Sequence, residues 1–144
     1  MPTLTTISPV TNQPIQTRFD TTEAEIPLIA QEAERGFQSF RHTTLQERQE
    51  IVLQALEQLE QDAPTLAQEL TSQIGRPASQ AEGEIHTAVK RGRYLVKISD
   101  EALKDTPGEP EDGFIRYIKK EPVGPVLIIF AWNVRTPRPS RTMV

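Results

Sequence analysis

The residues whose types and position could take part in chemistry lie near the carboxyl end of the chain, at Trp132 and Asn133. They follow a continuous apolar run from Val126 to Ala131, which is typical of a strand buried on both faces of a parallel sheet. Ligands of such sheets bind beyond the carboxyl ends of the strands. An Asn side chain there can donate an N–H to negative charge developing on a carbonyl oxygen. From the residues alone, however, the favoured interpretation is that Asn133 ends a strand in a turn, where Asn is common.

Cysteine and histidine chemistry is restricted in this chain. The 144 residues include no Cys, so no thiol nucleophile, disulfide or zinc–thiolate site is available. His86 follows Glu82 by four residues on a predicted helix, a spacing compatible with a metal. Because no third ligand is in view, we interpret the two as a solvent-facing polar pair and predict no metal site.

Size and charge exclude several classes of protein. A chain of 144 residues is enough for one domain. Its net charge of −4 leaves no large basic surface to neutralise phosphates, which argues against nucleic acid as a partner. The longest apolar run is too short to span a membrane, and the N-terminus lacks the layout of a signal peptide. We therefore expect a cytoplasmic chain.

The elements that must position Asn133 can be read from periodicity and turn residues. Turn formers between short β-compatible pieces predict a small hairpin near the N-terminus. Apolar residues at three- and four-residue steps predict four helices, over residues 26–40, 44–61, 62–74 and 79–102. Residues 105–112 are expected to form a loop, residues 114–120 a strand, and residues 122–125 a turn or bulge before the apolar run.

Specific residues mark the helix ends. Thr44 with Glu47, and Ser79 with Glu82, match the capping-box pattern. Asp62 is predicted to cap the third helix, and Gly75 to end it in a left-handed conformation. On the long fourth helix, the small residues Ala88 and Gly92 would allow a neighbouring helix to approach closely.

Residues 121–133, EPVGPVLIIFAWN, resemble a segment of a known family. The NAD(P)-dependent aldehyde dehydrogenases carry E-P-x-G-x, an apolar run and P-W-N on the way into their active site; here Ala131 stands where Pro is usual. Three further motifs occur in the same order as in that family. They are the hairpin SPVTNQPI at residues 8–15, LQER at 45–48 and the turn GRP at 75–77.

The resemblance covers residues 7–133 and about the first quarter to third of a full family member. It implies an incomplete α/β fold, made of the N-terminal helices and first strands of an aldehyde dehydrogenase-like Rossmann-type nucleotide-binding domain. Residues 1–133 would form this part. Residues 134–144 diverge into a basic, Pro-rich tail that we expect to be disordered, and the abrupt change after Asn133 predicts a shifted reading frame or an intron read-through.

The resemblance also implies a function and a site. A complete family member oxidises an aldehyde to a carboxylic acid with NAD or NADP. Asn133 would be the catalytic oxyanion donor, and Phe130, Ala131 and Trp132 would lie beside the nicotinamide end of the cofactor. The family's Cys nucleophile and its general-base Glu have no counterpart here, so we expect this chain to be inactive alone.

Two alternatives remain at this point. The chain could be a non-catalytic helical module, stable as residues 1–112, or a pseudoenzyme that pairs with a full-length paralogue through uncovered apolar stripes. Homologous subunits would then be its partners. Large exposed apolar surface also predicts aggregation as a third outcome.

Overall fold

The computed structural model describes residues 3–129, and the predicted site at residues 130–133 and tail at 134–144 lie outside them. Two strands come first, then four helices, then two short strands. In chain order they are β1 (Thr3–Ile7), β2 (Pro14–Phe19), α1 (Ile26–Phe40), α2 (Leu45–Gln61), α3 (Ala63–Ile74), α4 (Ala78–Ala102), β3 (Thr106–Pro107) and β4 (Tyr117–Ile118).

The predicted N-terminal hairpin is confirmed. Strands β1 and β2 pair antiparallel, with a register shift between Thr6 and Ile7. The turn between them is organised by Ser8, whose side-chain oxygen accepts hydrogen bonds from the backbone N–H groups of Val10 (3.2 Å) and Thr11 (3.3 Å). Ser8 is 3% exposed, the most buried polar residue among those described. A buried hydroxyl that binds its own turn gives this hairpin one preferred shape.

The four predicted helices form, and two of their end signals act as expected. The amide N–H of Glu47 donates to the Thr44 hydroxyl (3.2 Å), and the Glu47 carboxylate accepts from the Thr44 N–H (2.7 Å). This capping box begins α2. Gly75 ends α3 with a φ of 73°. A Cβ on Gly75 would lie 3.3 Å from Cγ of Pro9, so the hairpin turn packs directly over this helix end.

Two predicted caps are wrong. α4 begins at Ala78 after the extended residue Pro77, whose carbonyl accepts from the N–H of Ala81 (3.1 Å), and no side chain caps it. Ser79 is therefore already helical, and its hydroxyl is misplaced for a cap. Asp62 lies in a helical conformation between α2 and α3, and its carboxylate accepts from the Gln58 side chain (3.0 Å) instead.

The core lies where α4 packs against α2 and α3. Its buried hydrophobic side chains are Ala63, Ala67, Leu70, Ala81, Ile85 and Val89, and half of them are alanines. α2 approaches α4 closely at Gly92, where an added Cβ would lie 2.6 Å from Cδ2 of Leu56. The prediction that Gly92 permits close helix packing is confirmed.

The later strands are shorter than predicted. The expected loop at residues 105–112 contains β3, whose Thr106 pairs with Ile118 of β4. The expected strand at residues 114–120 is reduced to the two residues of β4. A two-stranded ribbon with no third strand and no apolar cover is marginal, so the pairing stays short.

The predicted buried strand at residues 126–131 is not formed over its described part. Residues 126–129 are in no strand, and Leu127 and Ile129 are each 86% exposed. A parallel strand needs hydrogen-bonding neighbours and layers on both faces. Within residues 3–129 no strand lies beside it to supply them.

We expect Gly92→Val to lower the denaturant midpoint for the loss of helix, because the new side chain overlaps Leu56 at a cost of about 1–3 kcal/mol. Chemical denaturation followed by far-ultraviolet circular dichroism measures this. The matched control is Gly83→Val on the same helix, where a Cβ meets no atom within 4 Å and the change should stay below about 0.5 kcal/mol. Equal effects at the two positions would contradict the packing.

A second prediction concerns the α2 cap. The Thr44 N–H, and then its hydroxyl, hold the pKa of Glu47 below the ordinary value of 4.5. Since the folded pKa is depressed, the stabilisation is complete above the unfolded pKa and is lost as pH falls through the folded pKa. Glu47→Gln should therefore reduce the loss of stability at acid pH, measured as a smaller fall in the urea midpoint as the pH is lowered. Glu57→Gln, an exposed change on the same helix outside the cap, should leave that slope in place.

Candidate functional site

The predicted catalytic Asn133 and the predicted cofactor neighbours Phe130, Ala131 and Trp132 lie beyond the described residues, so their roles stay predictions. The structure does describe residues 121–129, which lead into them and which we call the approach segment. The fold contributes to the predicted site by placing this segment against the helices.

The approach segment is tied to the end of α4. Just before it, the Lys120 ammonium donates to the carbonyl oxygen of Ala102 at 2.7 Å. The Lys120 backbone N–H donates a longer bond to Asp105 (3.4 Å). A cation on the last carbonyls of a helix satisfies groups that have no partner inside the helix. The start of the approach segment is thereby placed relative to the helical core.

Charge also organises the first residue of the segment. The Glu121 carboxylate lies 2.9 Å from the Lys119 ammonium. This hydrogen bond and ion pair lower the pKa of Glu121, with a smaller contribution from Arg41 on the far side, and raise the pKa of Lys119. Both side chains are more than half exposed, so the pair orients the chain more than it stabilises it.

Further along, the approach segment borders the C-terminal end of α1. A cleft of about 300 Å³ opens between them, which we call the α1 cleft. The chain bends at Gly124, whose φ of 142° is accessible to glycine. The cleft is lined by Ala33, Phe37, Phe40, Arg41, Arg48, Pro122, Gly124, Pro125, Val126 and Ile128.

A second cleft, of about 550 Å³, lies between the hairpin, the length of α3 and the start of α4. Its polar wall includes the hydroxyls of Ser8, Thr71 and Ser72. Each of these already serves the local backbone: Thr71 donates to Ala67 O (3.1 Å) and Ser72 to Glu69 O (3.0 Å), while Ser8 accepts from its turn. The hydroxyls therefore stabilise local structure.

The predicted polar pair of Glu82 and His86 is present on the surface of α4, with His86 Nε2 3.6 Å from Glu82 Oε1. The structure adds Glu60 of α2, whose Oε1 lies 4.0 Å from His86 Nδ1 and whose other oxygen lies 2.5 Å from the Arg93 guanidinium. The carboxylates of Glu60 and Glu82 face opposite ring nitrogens of His86. The Glu60 carboxylate also pairs with Arg93. In residues 3–129 no three acidic, His or Cys side chains are arranged to hold a metal ion.

The described residues offer one connection from a strand to a helix at which the phosphates of a dinucleotide could bind. Phosphates of such cofactors are held by a glycine-rich turn between a strand and the N-terminus of a helix. The connection from β2 to α1, residues 20–25, contains no Gly and carries Asp20, Glu23 and Glu25, which would repel phosphates. Residues 3–129 alone therefore lack the phosphate-binding turn that a dinucleotide requires. Nor does any helix in this range have the length and apolar character to cross a membrane.

A hairpin, four helices of which α4 packs against α2 and α3, and an approach segment that leads in sequence to Trp132-Asn133 are the features of the N-terminal part of an α/β dehydrogenase-like domain. Solved structures share this arrangement. The aldehyde dehydrogenase KauB from Pseudomonas aeruginosa superposes with a TM-score of 0.79 at 20% identity, over 85% of this chain and 25% of that one. Succinic semialdehyde dehydrogenase from Streptococcus pyogenes, in complex with NADP+, gives a TM-score of 0.70 at 26% identity, over 78% and 25%.

The sequence itself places the chain more narrowly. The model of the aldehyde dehydrogenase family matches residues 2–143, and the chain belongs to this family. It is similar to the NADP+-type succinate-semialdehyde dehydrogenase of Mycobacterium avium, with 29% identity over 133 residues, 90% of this chain and 28% of that protein. A probable enzyme of the same name from Synechocystis is 29% identical over 132 residues, again over 90% and 28%. The chain thus spans about 28% of the length of these curated relatives. The predicted family and α/β fold class are confirmed.

Proposed function

We propose that this chain supplies the N-terminal part of the nucleotide-binding domain of an NAD(P)-dependent aldehyde dehydrogenase, an oxidoreductase that converts an aldehyde to a carboxylic acid. The observation that carries the proposal is the family match over residues 2–143, which runs through Trp132 and Asn133. The anchoring of the approach segment on α4 supports it, because a reacting group at a strand end must be held by rigid elements.

The chemical role proposed for this chain belongs to Asn133. Its side-chain N–H would donate to the aldehyde oxygen as negative charge develops there, an interaction typically worth about 3 kcal/mol. Phe130, Ala131 and Trp132 would lie beside the nicotinamide of NAD or NADP, which accepts the hydride when bound. The names of the relatives from Mycobacterium avium and Synechocystis make succinate semialdehyde and NADP+ the first pair to test.

The nucleophile is the part of the reaction that these 144 residues cannot supply, because they contain no Cys. The proposal therefore uses residues 1–133, which carry the family-like motifs, and treats the chain alone as inactive. The family match itself continues to residue 143, so it does not mark residues 134–144 as a separate tail. Homologous subunits or segments would provide the thiol. A cytoplasmic location completes the proposal and suits a chain that uses no disulfide.

A chimera tests the proposed role. Residues 1–133 of this chain replace the matching N-terminal part of the Mycobacterium avium enzyme, and NADPH formation from succinate semialdehyde is followed by absorbance. We expect activity, and Asn133→Ala should lower kcat about 100-fold with little change in KM, because the lost donor acts mainly on the transition state. Gln38→Ala, which removes an exposed amide on α1, is the matched control and should leave kcat unchanged.

The 144-residue chain alone is the blank of the same experiment, and it should give no turnover. A chimera that folds with the parental circular dichroism spectrum but shows no activity would overturn the proposal. So would turnover by the isolated chain, or a chimera in which Asn133→Ala behaves like the Gln38 control.

A non-catalytic helical module remains a second candidate, favoured by the surface of α1. No residue of α1 is buried, and Ile26, Leu28 and Ile29 are each more than half exposed. A contiguous patch of exposed apolar side chains on one helix is typical of a surface that another protein or domain covers.

The two candidates differ in the stability of residues 1–112. A module folds independently, so a thermal melt followed by circular dichroism would be cooperative. We expect the opposite, a broad and non-cooperative loss of helix, because the buried core is limited to a few small side chains between α2, α3 and α4. A sharp transition would favour the module.

A further inference from the structure

The α1 cleft combines an apolar interior with positive charge at its edge. Phe37 and Phe40 of α1 form one wall and are only partly buried, so their rings still face open space. Pro125, Val126 and Ile128 form the opposite wall and remain exposed. The volume of about 300 Å³ is near the lower limit of known small-ligand pockets.

Two guanidinium groups line the cleft, and no acidic residue does. Arg41 lies over the Phe37 ring, 5.4 Å from its centroid, which keeps the charge next to the apolar wall. Arg48 projects from the first turn of α2, where its Nε donates a long bond to the Thr44 carbonyl (3.4 Å). Across the described residues, neither guanidinium lies within 4.0 Å of a carboxylate.

Two acidic groups related to these guanidiniums are engaged by other partners. Arg41 contributes to the lowered pKa of Glu121, but less than Lys119 does, and the Glu121 carboxylate pairs with Lys119 at 2.9 Å. Glu47, next to Arg48 in sequence, is held by the Thr44 cap. Both guanidiniums therefore keep hydrogen-bond donors that fit the two oxygens of an added carboxylate.

We propose that the α1 cleft is a binding site for a small aliphatic carboxylate. Its carboxylate would contact Arg41 and Arg48, and its alkyl chain would lie between Phe37 and the wall of Pro125, Val126 and Ile128. The cleft has the volume of about ten water molecules, which suits a chain on the order of eight carbon atoms. This inference stands on charge and shape complementarity and applies to the chain alone, because the neighbouring strands that the proposed catalytic role requires would cover Val126 and Ile128.

The test uses the full 144-residue chain and octanoate as the probe, with binding measured by calorimetry and by NMR shifts of the backbone amides. Octanoate should bind and shift amides of α1 and of residues 122–128. Butanoate, which is four methylenes shorter, should bind about 250-fold more weakly, since each buried methylene contributes about fourfold in affinity. Octylamine, with the same chain and the opposite charge, should not bind.

Variants locate the site. Arg48→Gln should weaken octanoate binding about tenfold by removing a charge-assisted contact. Arg35→Gln is the matched control, because it makes the same change on α1 at a residue that does not line the cleft. Ala33→Leu, which keeps a strong helix former while adding volume inside the cleft, should abolish binding. Circular dichroism spectra of all variants should match that of the parent chain.

Several results would overturn the proposal. They are an absence of octanoate binding, equal binding of octanoate and octylamine, and equal weakening by Arg35→Gln and Arg48→Gln. Concentration-dependent self-association that Ala33→Leu removes, and that octanoate does not compete with, would assign the cleft to a second copy of the chain instead.

Discussion

The described fold depends on the close packing of α4 against two other helices. The 25 residues of α4 contact α3 through Ala81 and Ile85, and they approach α2 at Gly92. Small residues at these points allow the helix backbones to come near enough for a thin core to exclude water. Because each of these contacts involves α4, a change along this one helix would be felt in both neighbours.

The outer elements are attached to this helical core by single, identifiable contacts. The hairpin turn is fixed internally by Ser8 and packs through Pro9 onto the left-handed end of α3 at Gly75. The approach segment is attached at the C-terminal end of α4, where the Lys120 ammonium donates to the carbonyl oxygen of Ala102. The start of the approach segment is thus placed by the length of α4 and by this contact at its end.

The features that could be predicted from the sequence are those whose interactions are local. The Thr44 capping box and the Gly75 helix stop each involve residues within a few positions, and both predictions are confirmed. The same signal misled at Ser79, because Pro77 starts α4 earlier than the pattern implied. The partnership of His86 with Glu60, and the wall that residues 122–128 give to the α1 cleft, join distant parts of the chain and have no local pattern.

The apolar run from residue 126 shows that a local sequence pattern does not decide whether a strand forms. The proposed site depends on the same distant neighbours. Its composition predicts a buried strand, yet residues 126–129 are exposed, because a parallel strand takes its hydrogen bonds and its cover from other strands and helices. A helix makes its backbone hydrogen bonds within itself, so each helix can be predicted from its own residues. This strand cannot be predicted in that way. An oxyanion donor must be held to within a few tenths of an ångström to act in a transition state. The proposed chemistry of Asn133 therefore requires neighbouring strands as well as the amide, and the family relationship indicates which kind of domain would provide them.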